Sequence, residues 1–144
     1  MRPLSSLHPR ATDLALAVAR LVIGVVFIAH GWQKIGQNGI AVTQQAFAGM
    51  GAPAPDISAV VAAVIELAGG VLLVAGLLTP LAGILLALNM LGAYLIVHRG
   101  SPVFVTDGGW ELVGALGVAS LVLAVTGPGR FSIDALVRRR TATA

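Results

Sequence analysis

Long apolar blocks separated by short polar breaks dominate the chain: Leu14 to Ile35, Ile57 to Leu78, Leu81 to Val97 and Trp110 to Thr126 consist mostly of Leu, Val, Ile, Ala and Gly. Their lengths lie near the roughly 20 residues that carry a helix across about 30 Å of hydrocarbon. From Ile57 to Val97 the only charge is Glu66. One helix of that length would run about 60 Å at 1.5 Å per residue, so the stretch must fold back, and Thr79-Pro80 is the expected turn. Strands of a membrane barrel would alternate polar and apolar residues over about 10-residue segments, a pattern this sequence lacks. The predicted fold is all-α, a single transmembrane domain built as an integral membrane bundle of four helices over these ranges. The first block follows basic residues, yet Arg20 interrupts it and Ile28-Ala29-His30-Gly31-Trp32 offers no small-residue cleavage site. It is expected to stay as a helix and not to be removed as a signal peptide.

The connection from Gly36 to Asp56 is the longest, and a loop beyond about 12 to 15 residues is usually functional or disordered. Ile40, Phe47 and Met50 fit a short interfacial helix within it, ended by the Gly49 to Pro55 stretch. Basic residues set the orientation. Arg2, Arg10, Arg130, Arg138, Arg139 and Arg140 fall on one side, whereas Lys34 and Arg99 fall on the other. Both termini are therefore expected in the cytoplasm, together with the basic tail 130–144, and the 36–56 loop outside. Trp32, Tyr94 and Trp110 fall near span ends on the outer side, where aromatic rings settle at headgroup level.

Composition narrows the function classes. Of 144 residues 57% are hydrophobic and 10% charged, against about 25% charged in an average soluble domain. There is no cysteine, which excludes disulfides, dithiol relays, Cys-ligated zinc and iron–sulfur clusters. The net charge of +3 comes from arginines at the chain ends, not from a patch interleaved with aromatics, so a lipid bilayer and not nucleic acid is the expected partner.

Candidate chemistry lies in ionisable groups within the apolar blocks, each costing roughly 2.5 to 3.5 kcal/mol to insert. They are Arg20, His30 and Lys34 on the first block, Glu66 on the second, His98 ending the third and Glu111 opening the fourth. Arg20 and Lys34 fall about 40° apart on one helical face that also carries Gly24 and Gly31. Glu66 shares a face with Gly69, Gly70 and Gly76, and Glu111 shares one with Gly114 and Ala115, so both acids belong to small-residue packing surfaces. Two relationships are expected: an intramembrane ion pair between Arg20 and Glu66, and a polar pocket near the outer leaflet bordered by His30, Lys34 and Glu111. The pair also fits a packing lock without further function, and Lys34 beside Trp32 also fits a snorkelling residue. Gln33, Asn89 and His98 are secondary candidates. Asn89 reads as interhelical glue, and at 100° per residue His98 falls about 180° around the helix from it, so the two should not share an interior. No metal site is expected, because no helix carries Glu-x-x-His spacing. Gly127-Pro128-Gly129-Arg130 lacks the downstream Lys-Ser/Thr of a phosphate-binding loop and reads as a helix stop.

Three groups of residues carry a family resemblance: His30-Gly31-Trp32-Gln33-Lys34-Ile35; Glu66 with Gly69-Gly70 and Gly76-Leu77; and Gly127-Pro128-Gly129-Arg130-Phe131-Ser132-Ile133-Asp134. In order and spacing from about Leu14 to Asp134, the chain resembles the DoxX family. The resemblance implies a small four-helix protein of the bacterial inner membrane, similar to the membrane subunit of an archaeal thiosulfate:quinone oxidoreductase and to members of membrane redox and oxidative-stress complexes. On that basis the chain is expected to act as an accessory or quinone-interacting subunit, with a redox-enzyme partner or further copies of itself. His30 and Lys34 would bond a quinone's carbonyl oxygens, and Glu66 or Glu111 would handle protons. A small-solute permease or channel using the same polar groups, and a structural partner docking through the basic tail, are the alternatives.

Overall fold

The computed structural model describes residues 9–141, which contain six α-helices and no strand. Arg2, part of the basic N-terminal flank, and residues 142–144 of the tail lie outside the described residues. The helices are α1 (Pro9–Trp32), α2 (Ile40–Gly49), α3 (Pro55–Ala75), α4 (Thr79–Ala93), α5 (Glu111–Thr126) and α6 (Ile133–Thr141). A π-helical turn extends α1 through Gln33–Gln37, and another extends α4 through Tyr94–His98. With these extensions, residues 9–37, 55–75 and 79–98 are long and apolar enough to cross a membrane. α5 is as apolar but has 16 residues, about 24 Å of helix.

Helix ends follow the punctuation in the sequence, with shifts from the apolar blocks. α3 stops at Ala75, where Gly76 adopts φ 65° and Leu77 N donates back to Leu72 O at 3.0 Å, a left-handed cap that glycine supplies without a Cβ clash. The expected Thr79-Pro80 turn therefore falls earlier, over Gly76–Leu78, and Pro80 sits in the first turn of α4, where its missing N–H costs nothing. Leu78 is left-handed as well, at φ 50°. The anticipated short helix in the 36–56 connection is α2.

α1 packs antiparallel on α3, and α4 on α5, with α3 and α4 joined by the tight turn. Between lipid-embedded helices close van der Waals contact matters more than water exclusion, and glycine permits it. A Cβ on Gly24 would stand 2.8 Å from Gly70 O, and one on Gly31 would stand 2.6 Å from Leu67 N. These contacts fix the α1–α3 register. Phe27, Leu73, Leu86, Met90, Leu116 and Leu123 fill the centre, while Leu14, Val18, Leu21, Val22 and Val25 stay exposed along the opposite side of α1.

At the end where α1 begins and α5 finishes, the segment after α5 is clasped to the helices. Arg20, 2% exposed, donates to Leu73 O at 3.2 Å and to Phe131 O. Asp134 accepts from Leu78 N at 3.0 Å and Thr79 N at 3.2 Å, closing the free amides at the start of α4. Its own amide donates to Gly76 O at 3.0 Å. Asp13 accepts from Arg130 N at 2.8 Å, and Ser132 Oγ accepts from Ala135 N at 3.1 Å to cap α6.

Candidate functional site

At the other end, α1, α2, α3, α4 and α5 surround a cavity of about 390 Å³. Its wall is largely apolar, including Phe27, Phe47, Val61, Leu88, Met90 and Leu116, and carries a polar cluster of His30, Lys34, Glu66, Asn89 and His98. The α1–α3 register places Lys34 against Glu66: Lys34 Nζ donates to Glu66 Oε2 at 2.6 Å, and Asn89 Nδ2 on α4 donates to Glu66 Oε1 at 3.1 Å. Both carboxylate oxygens are thereby bonded, as a charge buried to 4% exposure requires. The two donors come from different helices, so the cluster ties α1, α3 and α4 together.

The expected Arg20–Glu66 pair does not form. Arg20 directs Nη1 to Leu73 O and Nη2 to Phe131 O at the clasped end, leaving its buried Nε without a partner, and Glu66 takes Lys34 and Asn89. The Gly24 and Gly31 contacts set an α1–α3 register that puts Lys34 against Glu66 and leaves Arg20 beside Leu73 and Gly76.

His30 and Lys34 share the cavity as expected, but Glu111 is not in its wall. The loop before α5 folds back on itself, and Glu111 Oε1 accepts from Val105 N at 2.8 Å, closing the 3₁₀ turn Val105–Asp107. Gln33 is exposed and takes no part in the cavity. Asn89 and His98, placed on opposite faces by a regular helical wheel, line the same cavity. The cause is the π turn over Tyr94–His98, whose wider winding rotates His98 from its α-helical azimuth.

The ring nitrogens have defined tasks. His30 Nδ1 lies 2.9 Å from Val26 O and His98 Nδ1 lies 3.0 Å from Gly108 O. A carbonyl can only accept, so each Nδ1 carries a proton and each Nε2 is the atom open to another partner. The histidines and Glu66 do not gather around one point: among the described residues no group of three His, Asp or Glu side chains could hold a metal ion.

α2 roofs the cavity with Phe47, joined by Met50 and Ala52 from the segment that follows it. It is tied at both sides, since Thr43 Oγ1 donates to Lys34 O at 2.8 Å and Gln44 Nε2 donates to Asp56 O at 2.9 Å. A π turn leaves backbone carbonyls without their usual partner, and Thr43 serves one of them. Thr43, Ser58, Asp13 and Asp134 were not legible as site or clasp residues from spacing. Ser58 lines the cavity with its buried Oγ unpartnered, and only Asp134 lay in a motif already singled out.

The DoxX family model matches residues 15–99. Among relatives, the chain is 34% identical over 128 residues to a Bacillus subtilis protein named "Putative oxidoreductase CatD", covering 89% of this chain and 90% of that one. It is 33% identical over 130 residues to the Escherichia coli inner membrane protein YphA, covering 86% and 91%. The Escherichia coli inner membrane protein YqjF is 33% identical over 129 residues, covering 89% and 95%. No solved structure matches the chain. The long apolar helices, the small-residue packing and these relatives converge, and the chain is an integral membrane protein belonging to the DoxX family.

Proposed function

We propose that this protein binds a quinone-class molecule in the cavity beside Glu66, as an accessory or quinone-interacting subunit of a redox assembly in the bacterial inner membrane. The carrying observation is the Lys34–Glu66–Asn89 cluster set in an otherwise apolar cavity of about 390 Å³. A few fixed polar groups in an apolar wall are what an amphiphilic ring ligand needs, and the volume lies within the roughly 300 to 1,000 Å³ of ligand pockets. A quinone oxygen accepts hydrogen bonds. Lys34 and Asn89 each have an N–H beyond the one given to Glu66 to donate to it, whereas Nε2 of His30 and His98, an acceptor in the neutral ring, suits the hydroxyl of the reduced quinol. The relative named as an oxidoreductase supports the redox setting.

In the same reading α5 is the fourth span. It lies along α4, with Gly83 against Ser120 and Ala124 and Gly117 against Met90, and 16 residues supply about 24 Å that a locally thinned bilayer accommodates. Even spans put both termini on one side, and the arginine excess assigns that side to the cytoplasm. A through-path for solutes is disfavoured, because Phe27, Leu73 and Leu86 are packed between the cavity and Arg20 with essentially no exposure.

Purified protein in nanodiscs should take up a long-chain benzoquinone saturably. Lys34→Met or Glu66→Gln should weaken it about tenfold or more, the loss of a charge-assisted hydrogen bond being about 1.5 to 3 kcal/mol. Uptake no greater than in empty nanodiscs would end the quinone reading.

A further inference from the structure

The cavity has a lip as well as a wall. Val61 on α3 and Leu88 and Ile96 on α4 and its extension line the cavity and are 48%, 58% and 38% exposed, unlike the buried Phe27 and Ala62 of the same wall. Such residues mark where inside meets outside. α3 and α4 are in close contact near their turn, where a Cβ on Gly69 would stand 2.9 Å from Leu86, and Asn89 still reaches Glu66 at 3.1 Å. Beyond that bond the facing residues Ser58, Ala62, Gly92 and Ala93 are all cavity wall. Gly92 differs from the packing glycines, because a Cβ there meets nothing within 4 Å.

We infer that the cavity is loaded sideways from the lipid, through a gap between α3 and α4 kept open by Gly92, and that its occupant is a membrane-partitioned molecule with a hydrogen-bonding head. The inference rests on the ligand-binding reading above and adds the route and the solubility class. Val61, Leu88, Gly92 and Ile96 carry no polar side-chain group, so an apolar molecule passes them without stripping water from the protein. The water-facing alternative is covered by α2 and the segment after it, where Ala52 is 8% exposed, and α2 is held there by Thr43 and Gln44, bonded to Lys34 O and Asp56 O. Past the lip the head meets Ser58 Oγ, buried and without a partner, and then the Asn89–Glu66–Lys34 cluster.

The absence of cysteine allows a direct test in nanodiscs. Nitroxide labels on Val61→Cys and Gly92→Cys should be relaxed chiefly by oxygen, which concentrates in lipid, and weakly by a water-soluble nickel chelate. Dominant relaxation by the chelate at both sites overturns the lateral gap, even if quinone binds. Oxygen dominance with no quinone uptake by the unlabelled protein supports the gap and removes the quinone as its occupant. Gly92→Phe improves helix propensity and meets open space. It should slow uptake of a long-chain benzoquinone by about tenfold or more, equivalent to roughly 1.4 kcal/mol of added barrier. Unchanged uptake in that variant also overturns the gap.

Discussion

Lys34 holds Glu66 at 2.6 Å across the α1–α3 interface, and the two are unequally buried, with side-chain exposures of 19% and 5%. Breaking a buried pair typically costs about 3 to 5 kcal/mol, whereas replacing both partners is far milder. The inequality sets an order. Lys34→Met leaves the more deeply buried carboxylate with only its Asn89 hydrogen bond and no counter-charge, while Glu66→Leu leaves an ammonium on a long stem that can reach the interface. Thermal denaturation in detergent should rank Lys34→Met as least stable, Glu66→Leu next, and the double variant above the sum of the two losses. Simple additivity would show that the pair is not coupled.

Gly76 is required twice, by its left-handed φ of 65° and by the Arg20 guanidinium and Ser132 packed on it. Gly76→Ala should therefore cost more than the roughly 1 to 2 kcal/mol of a left-handed alanine alone. It should also expose the Arg130 peptide to trypsin, because the clasp and the turn share these atoms. A variant with parental stability and an unchanged digestion pattern would refute that dependence.

Leu78 is half-exposed and left-handed at φ 50° without being glycine. Leu78→Gly relieves that conformation and should raise stability by about 0.5 to 1 kcal/mol. Asp134→Ala removes the acceptor for Leu78 N and Thr79 N and should lower it by about 0.5 to 2 kcal/mol, with Asp134→Asn losing less. Melting temperatures of the three variants check both signs.

Topology is accessible by labelling. In intact cells a cysteine at Ala48, exposed on α2, should react with an impermeant maleimide, and one at Ala11, exposed at the start of α1, should react only after lysis. Labelling of Ala11 in intact cells would reverse the proposed orientation.

Much of the architecture can be read from the apolar blocks, because a long uncharged run in this composition has few alternatives to helix. The cavity was half legible. His30 and Lys34 follow from i,i+4 spacing, but the partner of Glu66 depends on a register set by glycine contacts between distant segments. His98 was misplaced because its azimuth comes from a π turn, which leaves no mark in the hydrophobic period. Glu111 was misplaced because the backbone of a neighbouring loop claims its carboxylate. The pairing of Asp13 with Arg130 joins residues 117 apart, beyond the reach of any spacing argument.

The clasp around Arg20 has a consequence for biogenesis. One of its two carbonyl partners, Phe131 O, lies 111 residues later in the chain. At translation rates of about 5 to 20 residues per second, that carbonyl emerges roughly ten seconds after the arginine. Throughout that interval α1 is already made, yet its buried cation has at most Leu73 O of its final partners. The first helix thus waits on the segment after α5, and a nascent chain released before Phe131 would carry a guanidinium lacking one of its two carbonyl partners.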